Sequence, residues 1–533
     1  MIKKTKLITS CFILTAVIIL HAIPLKAQFL FTGQLRVRTE VRNGFGNLML
    51  KNAEVAAFTS QRTRLTFGYK WDRLTFGASI QDVRVWGQDA SSISAADGNR
   101  LMMHEGWADL TLFNKLDSTI KMKGPDFMSL KIGRQELIYD DSRLIGNLDW
   151  LQQARRHDMV LLKTIHKGWQ IDLGYAFNQN TDAFNVSGTG YVPANVGPYV
   201  KNSLGIVVPT PAGILPLAPG GSANNNSSKS GTPVWLNPPN TNAGNQQYKS
   251  FTSVYVSKKI KQTKLSALFF NDRFGKYKID SMGSEASGFV YGKRFVSAGP
   301  ADGYDYTGTN GRFTYGLMIN QTLGNGSGFG MITVQANYYS QSGKNRDGVA
   351  MKNAYHYAAS ATWQKGKISL TPGYEFLSGN DASTPEDEKF DPLYGTPHRH
   401  WGFMDYFYAG TGSPNGGIKN GYAKLRYTIK TLTLGADYHF FSINENMKKA
   451  DGTYIGTNLG NEIDLSLNYN MNRITNIELG YSMMAATRNM PFAKGQVSTD
   501  AAADLYDLNG NWFFASIRFT PDFLAAKSST QKQ

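Results

Sequence analysis

The sequence predicts an all-β fold: a transmembrane antiparallel β-barrel of about 18 strands, with short periplasmic turns and long extracellular loops. Three observations predict it: an N-terminal export signal, period-two segments that split charged from apolar residues, and connections that alternate between tight turns and long loops.

The export signal occupies residues 1–27. Lys3, Lys4 and Lys6 precede an apolar stretch from Leu7 to Ile23, Pro24 breaks it, and Ala27 offers a small residue for cleavage before Gln28. The rival reading of this stretch is a retained membrane anchor, which the short apolar run and Pro24 disfavour. Cys11, the only cysteine, lies inside it, so the mature chain carries no thiol and disulfides, iron–sulfur clusters and cysteine catalysis are excluded together. Removing Lys3, Lys4, Lys6 and Lys26 leaves 52 basic residues against 40 acidic, a formal excess of 12. A positive field invites anionic partners. Nucleic acid is not expected among them, because the basic residues form no runs and an exported chain seldom meets it.

No later segment has the run of 18 or more apolar residues that a membrane helix needs. Strands of a barrel need only alternate, and these do. In Gln34 to Arg42 the even positions are Gln34, Arg36, Arg38, Glu40 and Arg42, against Leu35, Val37, Thr39 and Val41. Arg62, Arg64, Thr66, Gly68 and Lys70 then oppose Thr63, Leu65, Phe67, Tyr69 and Trp71. Similar segments are expected near 30–42, 59–70, 73–86, 104–113, 127–138, 153–163, 169–178, 249–259, 264–272, 311–322, 328–340, 354–364, 367–377, 419–429, 432–442, 460–470, 474–484 and 510–519.

Connections at Lys70 to Arg73, Thr164 to Gly168, Ile260 to Thr263, Gln364 to Lys367 and Ile429 to Leu432 are tight, and the intervening ones are long. Asn114 to Asp126 breaks this rule, being longer than its side of the barrel predicts. The longest connection, 179–248, is rich in Pro, Gly, Asn and Ser and reads as an external loop rather than an interdomain linker, because similar strand pairs flank it. The barrel is expected to span 28–523, followed by a polar tail at 524–533. Trp71, Trp107, Trp169, Trp363, Tyr427, Tyr469 and Trp512 fall near strand ends, where interfacial girdles form.

Energy orients the first two strands. An outward Arg costs roughly 2–4 kcal/mol at the membrane midplane, so Arg36, Arg38, Arg62 and Arg64 together would cost up to about 8–16 kcal/mol and are expected to face the lumen. Basic rings inside a pore favour anions. Glu40, Glu105 and Asp109 are candidate partners for some of these cations, and a wall-stiffening lattice of ion pairs is the competing use of the arginines.

The blocks GQLRVRTEVR (Gly33 to Arg42), QRTRLTFG (Gln61 to Gly68), QDVRVWG (Gln81 to Gly87), GRQELIYDDSRLIG (Gly133 to Gly146), Trp150, ARRHD (Ala154 to Asp158) and FDPLYGTPHRHWGFMDYF (Phe390 to Phe407) resemble the alginate export family of outer-membrane channels. The resemblance implies passive passage of an acidic polysaccharide through an 18-stranded barrel with a basic constriction, and periplasmic export partners. It implies Arg36, Arg38, Arg62, Arg64, Arg84, Arg134, Arg143 and Arg155 as lumen residues that bind the solute. Strict alternation places Arg84 and Arg134 on the lipid face, so lumen positions require bulges at Asp82 and Gly133.

The expected partners are therefore an anionic oligo- or polysaccharide and outer-membrane lipid, with no cofactor or metal. A general uptake porin for small anions such as carboxylates uses the same wall. An outer-membrane hydrolase is the alternative of another class, but His104, His157, His166, His356, His398, His400 and His439 are scattered outside any HExxH or GxSxG context. His398 and His400 lack a third metal ligand at familiar spacing, and the acidic stretch 381–391 lacks the spacing of a known calcium loop.

Overall fold

The computed structural model describes residues 28–87, 101–117, 123–178, 196–218, 229, 232–233, 248–297, 299, 302–381, 384–407 and 413–524. The expected export signal at 1–27, most of the 179–248 connection and all but the first residue of the expected polar tail lie outside the described residues.

An 18-stranded antiparallel sheet closes on itself. Its first seven strands are β1 (Gln28–Asn43), β2 (Ala56–Trp71), β3 (Leu74–Val85), β4 (Met102–Asn114), β5 (Phe127–Gln135), β6 (His157–His166) and β7 (Trp169–Phe177). Four short strands follow in the long connection: β8 (Tyr199–Lys201), β9 (Val207–Pro209), β10 (Ile214–Ala218) and β11 (Thr232–Pro233). The barrel resumes with β12 (Ser250–Ile260) and β13 (Thr263–Gly275), and β14 (Lys278–Ser284) and β15 (Gly288–Arg294) form a loop hairpin. The remaining staves are β16 (Thr309–Leu323), β17 (Met331–Lys344), β18 (Ala350–Lys365), β19 (Ile368–Leu377), β20 (Ile418–Ile429), β21 (Leu432–Ser442), β22 (Asn458–Asn470), β23 (Thr475–Ala486) and β24 (Asn509–Phe519).

Each stave pairs with its neighbour in the barrel order, β7 meets β12 across the long connection, and β1 against β24 seals the wall. Closure leaves no unpaired edge in the hydrocarbon, which is the condition for a sheet to cross a bilayer. The exterior carries Leu30, Tyr69, Phe76, Leu173, Leu317, Leu425, Leu465 and other exposed large apolar side chains, as a lipid-facing surface requires. This is an outer-membrane barrel.

The Asn114 to Asp126 turn is tied to its neighbours. Asp117 pairs with Arg73 at 3.3 Å, and Asp126 accepts from the Lys167 amide at 2.6 Å, so three periplasmic turns are stitched together.

All 18 sequence segments correspond to staves, with two informative boundary shifts. β5 ends at Gln135 and β6 starts only at His157, because the chain between them turns inward through positive-φ residues Asp140, Ser142, Leu148 and Ala154. The loop strands β8–β11, β14 and β15 have no counterpart in the sequence reading. The aromatic rule is also corrected at two positions. Trp71, Trp169, Tyr427 and Tyr469 are exposed on the outside, whereas Trp107 packs inside over Gly77, and Trp512 is wholly buried and donates to Glu40 at 3.0 Å.

The interior is not simply polar. Near the extracellular half the inner faces of β12, β13, β17, β21 and β24 present Phe251, Phe270, Tyr339, Phe441 and Phe514. Against them pack Leu137, Leu144 and Ile145 from the β5–β6 connection and Phe390, Leu393, Tyr394 and Phe407 from the β19–β20 connection. These two connections carry enough apolar side chain to make the lumen, not solvent, their most stable location.

Candidate functional site

The cross-strand register β1–β2 sets Arg36 opposite Arg62 and Gln34 opposite Arg64, so all four staggered cations Arg36, Arg38, Arg62 and Arg64 share the inner face. Like charges so placed repel. They are held there by the β5–β6 connection. Asp149 receives Arg62 at 2.8 Å and lies 3.7 Å from both Arg36 and Arg64. Carbonyls complete the clamp: Arg36 donates to Asp149 O at 2.8 Å, Arg38 to Trp150 O at 2.9 Å and Arg62 to Gln152 O at 3.3 Å. Burial works to raise the Asp149 carboxyl, but Arg62, Arg36 and Arg64 outweigh it and hold the group below the usual carboxylate range.

Arg38 also lies over the Trp150 ring, 4.3 Å from its centroid, and Trp150 stacks on His398 at 4.2 Å. The arginine ladder therefore grips an inward constriction rather than lining an open cylinder. Glu40, as expected, is paired, receiving Arg38 at 2.9 Å and Arg42 at 2.7 Å.

Arg143 and Arg155 face the lumen from the β5–β6 connection rather than from the wall. Arg143 pairs with Asp141 at 2.9 Å and with Glu375 of β19, and Arg155 donates to Gly395 O at 2.6 Å. Together with a parallel bridge between Ile145 and Tyr394, they join the two inward connections into one body.

Arg84 and Arg134 lie on the outer face, which corrects the lumen positions implied by the resemblance. The β2–β3 register runs through Asp82 unbroken and sets Arg84 opposite outward Gln61, and the shifts of β3–β4 and β4–β5 fall at Ser79/Ile80 and Thr111/Phe113. No extra residue restores the parity. Both cations are at the extracellular ends of their strands, each neutralised by an aspartate on the same face: Asp82 at 2.7 Å and Asp158 at 2.7 Å.

A cavity of about 440 Å³ lies on the periplasmic side of the constriction. Among the described residues, Arg36, Arg399, Arg426 and Arg518 line it against two carboxylates, Asp149 and Glu478, with Trp150, Phe403 and Phe514 as its flat walls. Arg426 is paired with Asp437, and Arg518 is 3.9 Å from Glu478. Arg399, at the end of the 3-10 turn Pro397–Arg399, makes no ion pair among the described residues. Arg399, Arg426 and Arg518 were missed at the sequence level. Arg518 was readable, since Trp512, Phe514, Ser516 and Arg518 alternate with the outward residues of the last strand.

A second cavity, about 450 Å³, opens at the extracellular mouth, and its charges balance: Lys293, Arg312, Arg346 and Lys389 against Asp347, Glu386, Asp387 and Asp391. Asp391 of the acidic stretch receives Arg312 at 2.7 Å and Arg346 at 2.6 Å. Burial would raise this carboxyl, and Arg312 and Arg346 instead hold it at about 2. Asp387 accepts from Asn345 at 2.7 Å. Asp387 and Asp391 of the stretch are thus held by protein partners. His398 and His400 turn to different partners, Asp405 at 2.9 Å and the Asp141 carbonyl at 3.2 Å, and burial, with Arg143 beside it, lowers His400 to about 3.

A family model described as alginate export matches residues 28–176, less than a third of the chain. Comparison with curated proteins yields no match. Among solved structures, the outer membrane protein opdK from Pseudomonas aeruginosa superposes with a TM-score of 0.50 at 9% identity, covering 93% of this chain and 99% of that one. The outer membrane protein OprD from the same organism gives 0.50 at 11% identity, covering 93% and 94%. P. aeruginosa OpdO gives 0.50 at 10% identity, covering 93% and 98%. The chain has the fold of these outer-membrane proteins. At such identities the likeness speaks for architecture alone, and what the barrel carries must come from its own lumen.

Proposed function

We propose that this barrel is a selective outer-membrane channel for small anions of the carboxylate class, with the periplasmic cavity as the last binding station on the path. The observation that carries this reading is the composition of that cavity: among the described residues, four guanidinium groups against two carboxylates, one of the four without an ion pair, in a space of about 440 Å³. Pockets of roughly 300–1,000 Å³ hold single small molecules. Rings of Arg lower the entry barrier for anions and raise it for cations. Lumen residues Arg36, Arg38, Arg62, Arg64, Arg143 and Arg155 serve this reading mainly by holding the constriction, and Arg399 and Arg518 by presenting charge to the solute.

A second reading, export of an acidic polysaccharide such as an alginate-like polymer, is favoured by the family match over residues 28–176. It requires the two inward connections to leave the lumen, since a polymer strand needs a continuous path.

Reversal potentials across a salt gradient, followed by liposome uptake of a monomeric uronate and of a uronate oligomer, test both. Anion preference that falls in Arg399→Gln and Arg518→Gln, with monomer passing and oligomer excluded, is the expected result. Cation preference, or no change in either variant, overturns the anion reading. Equal passage of oligomer and monomer favours the polysaccharide.

A further inference from the structure

Beyond the solute path, β4 and the residue after β5 bring together a histidine and two glutamates that line neither of the two cavities described above. The β3–β4 register shifts between Ser79/Ile80, so β4 carries one extra residue there, His104, between Met103 and Glu105. A bulge of this kind re-aims side chains. Here it turns the wholly buried His104 imidazole toward the same space as Glu105. Glu136, the first residue after β5, completes the group: its Oε1 is 3.3 Å from His104 Nε2, and one ligand atom from each of the three residues lies within 4.8 Å of the others.

We propose that His104, Glu105 and Glu136 form a binding site for a divalent transition ion, with Zn²⁺ as its representative. The geometry suits a tetrahedral shell, in which metal–ligand bonds near 2.0–2.2 Å set neighbouring ligand atoms about 3.4 Å apart. His104 and Glu136 already stand at that separation, and rotation of the Glu105 side chain closes the third position. The imidazole is wholly buried, and among the described residues its Nε2 meets Glu136 Oε1, so the nitrogen that faces the carboxylates is the one positioned to ligate.

The carboxylates are oriented from behind. Asn147 donates to Glu136 Oε2 at 2.8 Å, and the Trp107 indole and the Glu136 amide donate to Glu105 Oε1, each at 3.2 Å. Such outer contacts fix ligand geometry in metal sites. The cations around the group are Arg64, which donates to Gln81, Arg156, which donates to the carbonyls of Gln153 and Ala154, and Lys131, which lies 3.7 Å over the Trp107 ring and interacts electrostatically with Glu105 and Glu136. A nitrogen ligand with two carboxylates favours zinc-like ions over calcium, which takes six to eight oxygens.

Position gives the ion a consequence. Glu136 opens the inward β5–β6 connection and Asn147 lies near its middle, so an ion here ties the root of the constriction to the barrel wall. The site makes no use of the solute and does not depend on what the channel carries.

Calorimetric titration of the full barrel in detergent micelles with Zn²⁺, after chelation, is the test. One equivalent is expected to bind, with affinity reduced at least tenfold in His104→Ala and in Glu136→Gln, unchanged in His398→Ala, and not competed by millimolar Ca²⁺. Glu136→Gln keeps the side chain's shape and so remains informative where His104→Ala fails to fold. Absence of stoichiometric Zn²⁺ uptake by the folded wild type, or equal affinity in Glu136→Gln, overturns the proposal.

Discussion

The link between Asp149 and the arginine ladder makes a quantitative claim about the constriction. Asp149→Asn removes the one carboxylate shared by Arg62, Arg36 and Arg64 while keeping its shape. Breaking a fully buried pair costs about 3–5 kcal/mol. Arg62 is wholly buried but the Asp149 side chain is 35% exposed, and Arg62 keeps Gln34 and the Gln152 carbonyl. Solvent screening and these surviving contacts reduce the expected loss to roughly 2–3 kcal/mol, or about a 30- to 150-fold shift toward states with the connection displaced.

Single-channel recording in planar bilayers reads this as longer dwells at high conductance. Because the substitution also removes a negative charge, the reversal potential moves further toward the anion. Its pH counterpart follows from linkage: the Asp149 carboxyl is depressed, so its contribution is present above the ordinary value of 3.8 and is lost only as pH falls through the lower folded value. Wild-type recordings at pH 5 should therefore match those at pH 7. Gating indistinguishable from wild type in Asp149→Asn, or a shift toward cations, refutes the clamp.

Arg84→Gln and Arg134→Gln should leave ion selectivity at the wild-type value, because both cations stand outside the wall beside aspartates; a shift as large as that of Arg399→Gln would contradict their placement. Gly480→Ala puts a Cβ 1.9 Å from the Phe514 ring that lies over it, and should cost about 1–3 kcal/mol in urea unfolding from micelles. No loss there would mean that the ring is free to move. Lys494, whose ammonium donates to the Tyr406 carbonyl, is lowered by burial to about 7, with Asp405 only partly opposing. In the window from about 7 up to the ordinary 10.5 the unfolded chain binds more protons, so stability rises with pH there. Lys494→Met should flatten that rise between pH 7 and pH 9.5, and an unchanged slope would show that Lys494 is not its source.

The staves were legible because a strand in a barrel wall obeys a local rule: one face meets lipid and the other does not, so Arg36, Arg38, Arg62 and Arg64 betray their orientation through parity alone. Their neighbours were not legible. Asp149 is more than 80 residues from Arg62, and no periodicity links a loop carboxylate to a wall guanidinium. The same limit explains Arg84 and Arg134, where sequence motif suggested the lumen and strict alternation, the more physical guide, gave the right face. Arg399 stands within the block Phe390 to Phe407, but its having no ion pair among the described residues is a property of the surrounding fold.

What the sequence determined by itself was the wall: number of staves, their parity and the closed architecture, because each depends on interactions repeated every second residue along one strand. Only the tertiary structure decided what fills the wall. Whether a loop stays in solvent or folds inward depends on apolar surface and charge contributed by segments hundreds of residues apart, as when Ile145 meets Tyr394, and these interactions leave no local signature in the sequence.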